Sequence, residues 1–159
     1  MGLALLMIAG ISTVALRTLV TRYDKAFTKE QLLDGAARHE TRHRSSVSGP
    51  LNYLLVGSDQ RPKNPDAGER SDTIMIVHIP AGLDRAYLIS VPRDLLVQIP
   101  AHAPTGFGGG TDRINAAFQF GRGGKGGTQL LSATLTQLTG IRFDGAVIIN
   151  FAGFRKVID

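Results

Sequence analysis

The sequence of 159 residues contains neither cysteine nor tryptophan. Without cysteine the chain forms no disulfide, supplies no thiolate nucleophile and offers no cysteine ligand for zinc. Aromatic residues are scarce, at 6% of the chain, although the net charge is +5. Because a nucleic-acid surface usually combines a clustered basic face with stacking aromatic side chains, the sequence predicts no nucleic-acid partner.

Long apolar runs without a charge are also rare, and one of them begins the chain: residues 1–16, MGLALLMIAGISTVAL. As a helix this run spans roughly 24 Å, and Arg17 and Arg22 can extend the span by reaching toward the lipid headgroups. No basic segment precedes the run and no A-x-A site follows it, which disfavours a cleaved signal peptide. A buried core helix is the other alternative. We expect a membrane anchor over residues 1–22.

Residues 23–49 are mostly polar and predict a connector. Within it, residues 39–43 spell H-E-x-x-H, the zinc motif of metalloproteases. On a helix His39 and His43 would share one face, with Glu40 as the general base. The motif lacks the apolar neighbours of a zinc helix and no third ligand is evident, so we favour a coincidence of linker sequence. A zinc protease is the remote alternative.

Three apolar runs follow, each bounded by glycine, proline or aspartate, and they predict buried strands over residues 51–57, 73–80 and 86–92. The five-residue link between the last two contains glycine and predicts an antiparallel hairpin. Further on, leucines at helical spacing predict a helix over residues 128–139, and a last strand is expected over 144–150. The sequence therefore predicts an α/β domain.

Two glycine-rich segments separate these elements. Residues 101–112 predict a flexible loop of the kind that gates a site. Residues 121–128, GRGGKGGT, resemble a phosphate-binding P-loop, but Walker A requires Ser or Thr directly after the lysine, whereas Gly126 follows Lys125. We expect a flexible loop there, ahead of the helix.

Acidic and basic side chains cluster at the predicted strand ends. Six acidic and five basic residues lie between positions 59 and 94, a near balance that suits a metal ion and a phosphate bound together. Carboxylates such as Asp59 and Asp72 are ligands for a hard cation such as Mg²⁺, and arginines such as Arg93 grip phosphate with two parallel hydrogen bonds. Solvated turn charges are the alternative interpretation.

Five segments carry a family resemblance: NYLLVGSDQR, ERSDTIMIV, LISVPRDLLVQIP, DRINAAFQFG and LTGIRFDGAVIINFAGF. Together, in this order and spacing, they resemble the LytR-CpsA-Psr family of bacterial cell-envelope phosphotransferases. The resemblance implies transfer of a glycan phosphate from a polyprenyl-diphosphate carrier to a peptidoglycan acceptor, with Mg²⁺ as cofactor. A non-catalytic envelope module that binds polyprenyl diphosphate is the alternative function.

The resemblance also implies a role for each matching residue. The metal ligands are Asp59 and Asp72. The catalytic residues are Arg93, Asp94 and Arg70, where Asp94 either holds Arg93 or accepts a proton from the incoming hydroxyl. The substrate-binding residues are Arg61, Arg113 and Asn115.

For the architecture, the resemblance implies a mixed central sheet with helices on both faces. Residues 51–159 would be the N-terminal portion of a catalytic domain that continues past residue 159 to a later arginine-rich motif. The expected location is the cell membrane, with a single pass and the domain on the extracytoplasmic face. Taken alone, the basic residues after the apolar run would put the domain in the cytoplasm, so this expectation supposes a basic segment ahead of Met1.

Overall fold

Burial alternates along the first two strands, and their buried apolar residues face the same side of a sheet. The computed structural model describes residues 32–38, 49–58 and 71–150. Strands β1 (Leu51–Ser58) and β2 (Ser71–Ile79) pair antiparallel. Because side chains alternate between faces along a strand, one face carries the strand residues of the core, namely Leu54, Val56, Ile74 and Ile76.

The main sheet has four strands in the order β3-β2-β1-β6. Strand β3 (Tyr87–Val91) pairs antiparallel with β2, which confirms the predicted hairpin. Strand β6 (Gly145–Asn150) pairs parallel with β1, so the sheet is mixed, as predicted. The carboxyl ends of β1, β3 and β6 and the amino end of β2 therefore meet at one edge of the sheet.

A second sheet contains β4 (Leu96–Ile99) and β5 (Gly110–Arg113), paired antiparallel. The segment between them, expected as a flexible loop, contains a short 3-10 helix (Ala103–Thr105) and makes local contacts. Its turn is closed by a hydrogen bond from the His102 amide to the Phe107 carbonyl at 2.8 Å. The Phe107 ring stacks on Phe120 with centroids 4.6 Å apart, which fixes the segment against a helix.

Two helices cover the core face. Helix α1 (Ile114–Phe120) follows β5 directly, and α2 (Gly124–Thr139) ends at Gly140 in the left-handed conformation. Helix α2 begins four residues before the sequence predicted, so the expected flexible loop over 121–128 is largely helical. The helices contribute six further members of the core, namely Ile114, Ala117, Phe118, Leu130, Leu131 and Leu135.

The opposite face of the sheet is also largely apolar, and neither described helix covers it. Leu88 is 69% exposed there, and Val147 and Ile149 are exposed as well. The strand register places these side chains beside Leu55 and Val77 on one surface. The mixed α/β class is thus confirmed, with both described helices on the core face.

The N-terminal predictions fall mainly on residues that the structure does not describe. The expected anchor, residues 1–22, lies outside the described ranges. Part of the expected connector is described: Ala37 is buried in the core, and its carbonyl accepts a hydrogen bond from the Phe143 amide at 2.8 Å. Among residues 32–38, 49–58 and 71–150, no helix combines the length and apolar character that crossing a bilayer requires.

Candidate functional site

The edge where the strand ends meet contains a local irregularity that exposes a carboxylate. Gly57 pairs with Thr73, but the next residue of β1, Ser58, pairs with Ser71, so Asp72 is an extra residue in β2. Such a β-bulge redirects a side chain and is common beside functional sites. Asp72 is exposed at this edge, whereas Ser71 on one side of it is buried.

Four charged side chains of alternating sign line up here, and we call them the charge ladder: Asp72, Arg93, Asp94 and Arg113. Arg93 Nη1 donates to Asp72 Oδ1 at 2.6 Å. Arg93 Nε lies 3.6 Å from Asp94 Oδ2, and Arg113 Nη1 donates to Asp94 Oδ1 at 3.3 Å. The sequence singled out all four residues, and the structure brings them into contact from three different elements.

The ladder is open to solvent, since its side chains are between 42% and 62% exposed. Exposed ion pairs contribute only about 0–1 kcal/mol each, so the ladder adds little to stability. Its contacts can be exchanged for a ligand at low cost. Within the described part of the chain, the polar contact of the Asp72 carboxylate is the one that Arg93 makes to Oδ1.

Backbone hydrogen bonds hold the ladder's strand and helix segments together. The Asn115 amide donates to the Arg93 carbonyl at 3.1 Å, and the Ile114 amide donates to the Leu95 carbonyl at 2.8 Å. These bonds join the start of α1 to the segment after β3, and thereby set Arg113 beside Asp94. Asn115 itself is buried at the start of α1, so its contact with the ladder runs through its backbone.

Ser71 is a residue of this edge to which sequence reasoning gave no role. It is fully buried, and its hydroxyl oxygen has no hydrogen-bond partner among the residues that the structure describes. An unpaired buried hydroxyl is uncommon in proteins. The sequence feature that could have drawn attention to Ser71 is its position directly before Asp72 in the R-S-D-T segment. The burial of its hydroxyl depends on the fold and is not visible in the sequence.

The predicted metal site is described in part. Asp59, Arg61 and Arg70 lie outside the described residues, as do His39 and His43 of the H-E-x-x-H motif. Within the described ranges, no group of three or more His, Cys, Asp or Glu side chains is arranged to hold a metal ion. Magnesium commonly takes only one or two carboxylates and keeps several waters, so the exposed carboxylate of Asp72 fits Mg²⁺.

Comparison with known proteins assigns the chain to a family. The model of the LytR_cpsA_psr family matches residues 16–159, nearly the whole chain. The chain belongs to the LytR-CpsA-Psr family. The family match includes every member of the charge ladder and the undescribed Asp59, Arg61 and Arg70.

Two curated relatives are similar to this LytR-CpsA-Psr chain. The probable cell wall biosynthesis protein LcpB of Corynebacterium glutamicum is 36% identical over 120 residues, which cover 68% of this chain and 26% of LcpB. The polyisoprenyl-teichoic acid–peptidoglycan teichoic acid transferase TagU of Oceanobacillus iheyensis is 36% identical over 110 residues, covering 69% of this chain and 31% of TagU. The chain thus spans about a third or less of the length of these relatives.

Solved structures support the same fold. The structure of TagT bound to LIIa-WTA superposes with a TM-score of 0.55 and 27% identity, over 79% of this chain and 44% of TagT. TagU of Bacillus subtilis superposes with a TM-score of 0.51 and 25% identity, over 69% of this chain and 38% of TagU. The α/β architecture described above is therefore that of a LytR-CpsA-Psr domain over the matched region.

Proposed function

We propose that this LytR-CpsA-Psr chain carries the metal and diphosphate part of a transferase site. The reaction is transfer of a glycan phosphate from a polyprenyl-diphosphate carrier to peptidoglycan. The observation that carries the proposal is the charge ladder: two arginines and two carboxylates in contact, exposed, at a sheet edge. The name of its relative TagU, a polyisoprenyl-teichoic acid–peptidoglycan teichoic acid transferase, supports this substrate class.

The proposed cofactor is Mg²⁺, with Asp72 and the undescribed Asp59 as its protein ligands. The exposure of the Asp72 side chain where the strand ends meet supports this assignment. When bound, a divalent cation supplies positive charge that offsets the charge of a diphosphate. The protein's task is then to hold the carboxylates and arginines at fixed positions around the reacting phosphorus.

Arg93 and Arg113 are the proposed phosphate contacts, because both guanidiniums are exposed and point into one cluster with the carboxylates. Arg61 and Arg70 are proposed to complete the set. Guanidinium groups stay charged at any ordinary pH and offer paired donors to phosphate oxygens. They would stabilise the negative charge that builds up on the leaving oxygen during phosphoryl transfer.

In the proposed reaction a hydroxyl of peptidoglycan attacks the phosphorus on the glycan side of the diphosphate. A new phosphorus–oxygen bond forms, the bond to the bridging oxygen breaks, and polyprenyl phosphate leaves. The hydroxyl proton passes to a base. For Asp94 the geometry favours a holding role over that of the base, since its two oxygens face two different arginines at 3.6 Å and 3.3 Å.

The proposed setting is the membrane, because a polyprenyl carrier is itself a membrane lipid. Residues 1–22 are proposed as a single-pass anchor, with the transferase domain on the extracytoplasmic face where peptidoglycan lies. The apolar run of residues 1–16 supports this proposal.

The test is binding of farnesyl diphosphate, a short polyprenyl diphosphate, to the full chain in Mg²⁺ or in EDTA. We expect Mg²⁺-dependent binding that loses its metal dependence in Asp72→Ala and weakens about tenfold in Arg93→Ala. Arg85→Ala is the matched control, since Arg85 pairs with Asp84 at 2.7 Å on the exposed link before β3. Circular dichroism checks that each variant is folded.

Equal binding in EDTA, or equal losses in Arg85→Ala, would remove the support for a metal and diphosphate site at the ladder. A turnover assay with a glycan-linked carrier and peptidoglycan then separates the two functions. Release of polyprenyl phosphate supports the transferase. Metal-dependent binding without any release supports the non-catalytic binding module.

A further inference from the structure

The shortest contact of the charge ladder joins the two residues that the proposed function assigns to different ligands. Asp72 is the proposed metal ligand and Arg93 the proposed phosphate ligand, yet Arg93 Nη1 donates to Asp72 Oδ1 at 2.6 Å. This distance is short even for a charge-assisted hydrogen bond. Asp72 is therefore already paired with a positive charge, as a metal ion would supply. Arg93 is already paired with a negative charge, as a phosphate would supply.

This pairing has opposite effects on the two ligands when each binds alone. A cation at Asp72 is repelled by the Arg93 guanidinium and competes with it for a carboxylate oxygen. An anion at Arg93 is repelled by the Asp72 carboxylate and competes with it for the guanidinium N–H groups. When both ligands bind, the ion pair separates and each partner finds a new group of opposite charge.

We propose that in the empty site the Asp72–Arg93 ion pair takes the place of both ligands, and that it thereby couples their binding. Release of Asp72 to a divalent cation frees Arg93 for a phosphate group, and release of Arg93 to a phosphate group frees Asp72 for the cation. Coupling of this kind is reciprocal by thermodynamic necessity. The inference rests on the proposed function, and it adds that the empty site disfavours either ligand alone.

The first test is a calorimetric titration of the full chain with Mg²⁺ alone. Arg93→Gln removes the guanidinium that competes with Mg²⁺ for Asp72. Because an exposed ion pair contributes up to about 1 kcal/mol, we expect Mg²⁺ to bind about two- to fivefold more tightly than to the wild type. Asp72→Asn removes the binding. Arg85→Gln breaks a comparable exposed pair, in which the hydrogen bond from Arg85 lowers the pKa of Asp84, and it should leave Mg²⁺ affinity unchanged.

The second test is a titration with inorganic pyrophosphate in EDTA. Asp72→Asn removes the competing anion, so pyrophosphate should bind about two- to fivefold more tightly, while Arg93→Gln weakens it. The double variant Asp72→Asn/Arg93→Gln should show no gain, because the gain requires the released guanidinium. Using each ligand alone avoids the complex that Mg²⁺ and pyrophosphate form in solution.

The outcomes separate the inference from the proposed function. If the wild type binds neither ligand alone and removal of the competing charge does not restore binding, both are overturned. If the wild type binds both ligands but neither single variant tightens its respective ligand, the coupling is overturned and the site stands. Misfolding would weaken both ligands together, so a gain for one ligand and a loss for the other in the same variant supports the inference.

Discussion

Ser71 has a fully buried hydroxyl group, at the edge of a sheet whose neighbouring charges are exposed. Within the described ranges this hydroxyl has no hydrogen-bond partner. Leaving a buried polar group unpaired costs about 1–3 kcal/mol of folding free energy. The bulge that exposes Asp72 also sets Ser71 opposite Ser58, and both serines are buried. The edge therefore presents its charge to solvent while the hydroxyl beside that charge is buried.

Replacing this hydroxyl gives a prediction at the scale of one residue. We expect Ser71→Ala to leave the free energy of unfolding unchanged, or to raise it by up to about 1 kcal/mol, because the penalty of the unpaired hydroxyl is removed. Thr134→Val is the control, since the buried Thr134 hydroxyl donates to the Leu130 carbonyl at 2.7 Å; it should lose about 1 kcal/mol. Urea denaturation measures both, and an equal loss in the two variants would mean that Ser71 has a partner, such as a buried water.

Among the elements, the corner between α1 and α2 depends on close backbone contact. A Cβ atom on Gly127 would lie 2.6 Å from the Phe118 carbonyl oxygen and 2.9 Å from Phe118 Cδ2, and one on Gly121 would overlap the backbone of Gly126. The glycine-rich segment thus allows two helices to approach each other. It does not form a phosphate-binding loop.

Gly127→Ala should therefore lower the free energy of unfolding by at least about 1 kcal/mol. Alanine has a higher helix propensity than glycine, but overpacking against the backbone costs more free energy than that propensity contributes. Thermal unfolding followed by circular dichroism at 222 nm, the helix band, measures the change. Gly108→Ala is the matched control, since a Cβ there meets nothing within 4 Å; it should be neutral or stabilising. If Gly127→Ala leaves the unfolding temperature unchanged, the helices can move apart without a loss of stability.

The same elements show how far sequence reasoning reaches. Continuous apolar runs bounded by turn residues predicted β1, β2 and the hairpin to β3, because both faces of these strands carry apolar side chains. The start of α2 was missed because glycines have low helix propensity, whereas packing against Phe118 overrides it. The contact of Asp72 with Arg93 depends on strand register at a bulge, which local sequence does not specify.

At the scale of the molecule, the main sheet has two polar ends with different contacts. The charge ladder lies at one end. At the other, the Asn52 side chain donates to the Arg142 carbonyl at 3.0 Å and meets His78 Nδ1 at 2.8 Å. Asp144 Oδ2 accepts from the Asn52 amide at 2.8 Å, so one residue of β1 joins β2 to the segment entering β6.

This separation predicts that stability and ligand binding can be changed independently. Asn52→Ala leaves the Arg142 carbonyl and the His78 ring without their partner, so we expect a loss of about 1–2 kcal/mol in the free energy of unfolding. Gln98→Ala is the control. The exposed side chain of Gln98 accepts a hydrogen bond from the Thr111 hydroxyl at 2.7 Å, so the substitution should change stability by less than about 0.5 kcal/mol. At a temperature where both variants remain folded, both should bind Mg²⁺ and farnesyl diphosphate as the wild type does. Weaker binding by the folded Asn52→Ala variant would mean that the two ends are coupled through β1 and β2, and that the ladder's geometry depends on the strand register fixed at the far end.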